Sequence, residues 1–165
     1  MMLELRLILV FMSWTALIEC QMEPFIIDGL KASITQFPHS VHVYIDCYEE
    51  DDESQSWSCG GSIVNELIIL TAAHCVYGCS NRSVFTVSVG HAHYTKGGQA
   101  TVLANYLHPR YNGSGTFCDI ALERLKTPLK FGEDVKRIAL MQHPPYHERA
   151  QQAGWGLIDV SSFCL

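Results

Sequence analysis

The sequence has 165 residues, of which 48% are hydrophobic and 17% charged, a balance that excludes a disordered chain and suits one domain around a single core. The net charge of −6 excludes a nucleic-acid partner, because that kind of binding draws on a basic surface that releases phosphate counterions. Much of the negative charge lies in one run, Glu49-Glu-Asp-Asp-Glu53, whose alternatives are a calcium or cationic-partner site and an ordinary solvated loop, the latter being the reading that such runs favour.

In chain order, the first element is Arg6 followed by the apolar run Leu7 to Ile18. That run is too short to cross a hydrocarbon core of ~30 Å, so residues 1–20 read as a secretory signal peptide. Cleavage falls near Cys20-Gln21, although Ile18 is larger than the small residue expected there. The chain is then secreted and extracellular, with no membrane contact once the signal is removed. Of the seven cysteines, the even set left after Cys20 points to disulfides, and no C-x-x-C pair supports a zinc site. Asn81-Arg-Ser83 and Asn112-Gly-Ser114 are glycan-acceptor tripeptides in that compartment.

From Phe37 onward, short β-rich runs alternate with turn residues: 41–45, 62–64, 67–71, 85–89 and 100–103. Strict alternation at 85–89 predicts that Phe85, Val87 and Val89 share one face of a half-buried strand. Ile120 to Leu125 is too short to claim as a helix and is followed by Pro128, which leaves an all-β, Greek-key architecture. The stretch 140–146 contains consecutive prolines and reads as a connector, with a second unit beginning beyond it.

Two places carry chemistry. His74 follows an apolar strand and sits beside Cys75, and a Cys59–Cys75 bridge would pin that strand end, worth ~3 kcal/mol by loop closure. Asp119 immediately precedes an apolar segment, so it is drawn toward the interior and needs a partner. An imidazole N–H is such a partner, and the pair would leave the other ring nitrogen free to take a proton. His91 and His93 are placed on one strand face; no third ligand is indicated, so they read as surface histidines, as do His143 and His147. No metal and no cofactor is called for.

Ile26-Ile-Asp-Gly29, Gln36-Phe-Pro38, Cys59-Gly-Gly-Ser62, Thr71-Ala-Ala-His-Cys75, Asp119-Ile-Ala-Leu122 and Gly154-Trp-Gly156 occur in that order. Together they resemble the trypsin/chymotrypsin-like serine proteases, peptidase family S1. The resemblance implies a chymotrypsin-like fold of two six-stranded barrels, the first complete and the second only begun, with the active site in the cleft between them. It implies a very short pro-segment, 21–25, a mature N-terminus at Ile26, and an incomplete protease domain over 26–165. It makes His74 the general base and Asp119 its orienting carboxylate. It also supports the Cys59–Cys75 bridge, and it places Cys79 and Cys118 on loops flanking the catalytic pair, so these two are expected to bond. Cys47 and Cys164 are left to pair with each other, stay free or bridge to another chain.

The chain departs from the pattern in several places. No Gly-Asp-Ser-Gly occurs in the sequence, so the nucleophilic serine is absent. Ser114, in Asn112-Gly-Ser-Gly115, is better explained by turn geometry. Phe25 precedes Ile26, which suits a chymotrypsin-like activator rather than a trypsin-like one, and Asp28 stands where the family usually has glycine. Ala150 stands where many members have a cysteine. The resemblance therefore implies a secreted serine endopeptidase acting on proteins or peptides, inactive in the form written here. The alternative is a secreted, non-catalytic homologue that binds a protease or an inhibitor.

Overall fold

A computed structural model describes residues 29–49, 53–143 and 146–156. The segments expected to be a signal peptide, 1–20, and a pro-segment, 21–25, lie outside the described residues, as do Ile26, Cys164 and the centre of the acidic run. Residues 30–155 form one compact unit; a second unit comprises 1–29 and 156–165, of which only Gly29 and Gly156 are described, both exposed.

The larger unit is a closed antiparallel barrel of β1 (Ser40–Tyr48), β2 (Ser54–Asn65), β3 (Ile68–Thr71), β4 (Val84–Val89), β5 (Gly98–Leu107) and β6 (Ala121–Leu125). Around the barrel the order is β1-β2-β3-β6-β5-β4, with β1 pairing β4 to close it. Closure leaves no unpaired sheet edge. The chain enters β1 from a short 3-10 turn, Ile34–Gln36, held by a reciprocal capping box between Ser33 and Gln36.

Period-two alternation decides what faces inward. Val41, Val43, Ile45 and Cys47 of β1 are buried, as are Phe85, Val87 and Val89 of β4 and Ile63 and Ile69 of β2 and β3. The expected face at 85–89 is thus the core face. Gly61 on β2 lets the sheet close tightly, because a Cβ there would press on Ile69, Val41 and the Leu70 carbonyl.

Two strands differ from the sequence reading. β2 is far longer than 62–64, because Ser-Gln-Ser-Trp-Ser-Cys-Gly-Gly lacks the β-branched signature yet pairs residue by residue with β1. β6 is a strand built from Ala-Leu-Glu-Arg-Leu, good helix formers held extended by pairing with β3 and β5 on either side. His91 and His93 are not on a strand: they lie in the turn after β4, where His91 Nδ1 accepts from the His93 N–H at 2.8 Å. Gly90, with φ +78, ends β4 one residue too early to carry them.

After β6 the chain runs without further strands among the described residues, tied to the barrel by main-chain bonds such as Leu129 N–H to Glu66 O and Ile138 N–H to Ile63 O, both 2.8 Å. Trp155 returns to it, donating from Nε1 to the Ala92 carbonyl at 2.6 Å and packing edge-on against His42.

Candidate active site

His74 is the middle residue of a 3-10 turn, Ala73–Cys75, that directly follows β3. Its neighbours Ala73 and Cys75 are buried, so the turn directs the imidazole outward, and its side chain is 60% exposed. The turn is anchored twice. Cys75 is bonded to Cys59 of β2 at 2.07 Å, and its carbonyl accepts from Trp57 Nε1 at 3.1 Å. Thr71, at the end of β3, donates its hydroxyl to the Gly60 carbonyl at 2.9 Å.

Asp119 reaches the same place from the other side. It stands between Cys118, whose φ of 58° is left-handed, and the start of β6. The Ile120 N–H bonds to the Cys118 carbonyl at 2.8 Å, a tight reversal that turns the carboxylate back over the His74 turn. One carboxylate oxygen accepts from the His74 main-chain N–H and the other contacts His74 Nδ1, each at 2.8 Å. Since a carboxylate only accepts, Nδ1 carries the ring proton. The His74 ring bond, then the His74 main-chain N–H, holds the Asp119 carboxyl below its ordinary range, against a smaller opposing effect of burial.

Tyr111 and Tyr77, edge to face at 5.3 Å, stand on this side of the pair. Burial, then the Asp119 charge, raises the Tyr111 hydroxyl above its ordinary value, which keeps it a neutral phenol. A cleft of about 530 Å³ opens beside Asp119, bordered by Phe37, His39, Gly61, Thr71 and Gln151. Trp57, Tyr77 and Tyr111 carried no signal in the sequence, since each acts through a contact that only the folded barrel creates.

The other expected site residues fall elsewhere. Ser114 sits in an exposed turn, with its N–H bonded to Asn112 Oδ1 at 3.1 Å and glycines of positive φ on both sides. Gly113 is required there, because a Cβ would collide with the Tyr77 ring. Asn81 and Asn112 are exposed, as are His143 and His147. The expected Cys79–Cys118 bond is not formed. Cys79 is bonded to Cys47, at 2.02 Å, and Cys118 is a free thiol. The reason is position: Cys47 is near the end of β1, and Ser80 N–H bonds to the Tyr48 carbonyl at 2.8 Å, bringing the loop after the His74 turn against that strand end.

His74, Cys59 and Cys75 bring three ligand-type atoms together, but both sulfurs are spent in the disulfide. No other such group of three or more converges among the described residues. No helix among them is long and apolar enough to cross a membrane.

Residues 26–162 match the trypsin family. Trypsin alpha of Drosophila melanogaster is 33% identical over 138 residues, covering 82% of this chain and 50% of the relative. Trypsin alpha-4 of Lucilia cuprina is 34% identical over 138 residues, covering 82% and 51%. The chain thus spans about half the length of the curated relatives it matches. Among solved structures, a scabies mite inactivated protease paralogue superposes with a TM-score of 0.61 at 28% identity, over 73% of this chain and 48% of its own. With motif order, barrel and match in agreement, the chain belongs to the trypsin family of serine proteases.

Proposed function

We propose that the chain derives from a secreted serine-type endopeptidase and carries the base half of its catalytic apparatus. The observation that supports this most is the two-point grip of Asp119 on His74. With the proton fixed on Nδ1, Nε2 keeps the lone pair that a general base needs, and Asp119 stabilises the imidazolium formed when a proton is taken. Ile26 is the mature N-terminus in this reading, after a signal peptide, 1–20, and a short pro-segment, 21–25. Proteins or peptides are the substrates of the lineage, and the exposed Asn81 and Asn112 are its glycan acceptors.

The 165-residue polypeptide by itself is expected not to hydrolyse peptides. His74 needs a hydroxyl to deprotonate, no Gly-Asp-Ser-Gly occurs in the sequence, and Ser114 lies in an exposed glycine-flanked turn with no hydrogen bond to His74 among those of the described residues. In a serine protease, loss of the nucleophile costs on the order of 10⁶ in kcat. The purified chain, incubated with fluorogenic peptides and a fluorophosphonate probe, is expected to give neither turnover nor adduct. Turnover abolished by the probe would overturn the inactive reading.

A second reading, a non-catalytic module that binds a protease or protease inhibitor, is supported by the likeness to the scabies mite protein, whose name describes an inactivated paralogue. Surface plasmon resonance against immobilised trypsin and a protein protease inhibitor tests it. Saturable binding is the expected result, and none to either contradicts it.

A further inference from the structure

Among the described residues, the barrel interior contains one carboxylate. Glu123 lies at the centre of β6 between Ala121 and Leu125, and all three face inward; Glu123 is 0% exposed. Neither Oε1 nor Oε2 has a hydrogen-bond partner. Directly opposite it in register stand Ile69 on β3 and Asn105 on β5, and Asn105 Oδ1 is likewise buried and unpartnered.

Among the described residues, no cationic side chain lies on the inward face around Glu123. The buried hydrophobic residues of the remaining strands are Val41, Val43, Ile45 and disulfide-bonded Cys47 on β1, Ile63 on β2, and Phe85, Val87 and Val89 on β4, none of which titrates, while the buried His42 alternates with Val41 and Val43 and packs on the other face against Tyr94 and Trp155. β3 contributes Ile69 and Thr71, the latter's hydroxyl already donated to the Gly60 carbonyl, β5 contributes Ala100 and Asn105, and Arg124, next to Glu123 on β6, is exposed. A buried carboxylate without partners is strongly disfavoured, whereas the neutral acid brings an O–H to a place where three oxygens lack a donor.

We propose that a proton resident on Glu123 is a latch that keeps β6 seated between β3 and β5, and so holds Asp119 against His74, and that losing this proton loosens that seam. The ladder makes the connection. Glu123 pairs with Ile69, two residues before Thr71, which pairs with Ala121. From that last pair, the chain leaves β3 for the turn that carries His74, while Asp119 lies two residues before Ala121. A strain introduced at Glu123 therefore acts on both arms of the pair.

Burial pushes the Glu123 carboxyl up to about 7, which sets the window. The folded protein holds this proton more tightly than the unfolded chain, so the stabilisation is complete below the unfolded value. It falls as pH rises from there through about 7, and is gone above it. Set against an ordinary value of 4.5, this corresponds to a roughly 300-fold fall in the folding equilibrium constant across the window. The latch acts on the barrel whether or not the pair serves proteolysis, so failure of the functional reading leaves its test intact.

The test is equilibrium denaturation of the full chain from about pH 4.5 to 8.5, for the wild type and Glu123→Gln, which keeps the shape and removes the titration. The wild type is expected to lose about two orders of magnitude in folding constant relative to the variant across that range; superimposable pH profiles would overturn the proposal. Should the variant not fold, NMR of wild-type protein labelled with ¹³C at the glutamate carboxyl reads the same proton directly. One carboxyl titrating near neutrality is expected, and all glutamates titrating in the ordinary range near about 4.3 would sink the latch. Hydrogen exchange of the β6 amides, corrected for intrinsic base catalysis, is expected to quicken above neutrality in the wild type. Unchanged protection would refute the opening of the seam.

Discussion

Asp119 holds His74 by its ring and by its main chain at once, with both contacts at 2.8 Å. The second contact fixes the turn that carries the ring, and the first fixes the ring within the turn. A substitution at Asp119 is therefore felt in the fold of the Ala73–Cys75 turn as well as in the chemistry of the imidazole.

In acid, the Asp119 carboxyl, lowered by its two bonds from His74, contributes stability that is present above the unfolded value of about 3.9. It is lost as pH falls through the lower, folded value. Acid denaturation of the wild type is expected to be steeper below about pH 4 than that of Asp119→Ala, and parallel curves would contradict the pairing.

Trp57→Phe keeps the ring against the core and removes the Nε1–H that satisfies the Cys75 carbonyl. A carbonyl left partly buried without its donor costs about 1–3 kcal/mol. Urea denaturation is expected to show a loss in that range, together with faster amide exchange in the turn that presents His74.

Non-reducing peptide mapping is expected to recover the linked pairs 47–79 and 59–75, and iodoacetamide is expected to label Cys118 in the folded protein. A 79–118 link would restore the pairing expected from the family pattern and contradict the structure. Replacing Cys59 and Cys75 together with serine is expected to cost about 3 kcal/mol, since the bridge closes a separation of 16 residues.

When the chain is expressed through a secretory pathway, glycosidase treatment is expected to shift its mass by one or two N-glycans, lost in Asn81→Gln and Asn112→Gln. No shift from the doubly wild-type protein would remove both sites.

The barrel was legible wherever side chains alternate, as at Phe85, Val87 and Val89, because one buried face imposes a period of two on the sequence. It was not legible in β6, where Ala, Leu, Glu, Arg and Leu have no intrinsic preference for a strand and an inward glutamate breaks the pattern. The site was legible as two residues, because His74 and Asp119 sit in motifs set by the ends of strands. Its supports were not. Trp57 reaches Cys75 across 18 residues of sequence, and the Cys47–Cys79 bond depends on how the loop after Cys75 folds back onto β1. The family resemblance, which places Cys79 and Cys118 on loops flanking His74 and Asp119, suggested Cys118 as the partner of Cys79; the three-dimensional position of a strand end selected Cys47.

Whether Asp119 presets His74 as a base is read most directly by ¹⁵N-histidine NMR of the chain, which distinguishes the two ring nitrogens of the neutral imidazole. The neutral fraction of His74 is expected to carry its proton on Nδ1, with a slowly exchanging, low-field Nδ1–H signal that disappears in Asp119→Ala. A neutral His74 protonated on Nε2, or an Nδ1–H signal indifferent to that substitution, would contradict the account.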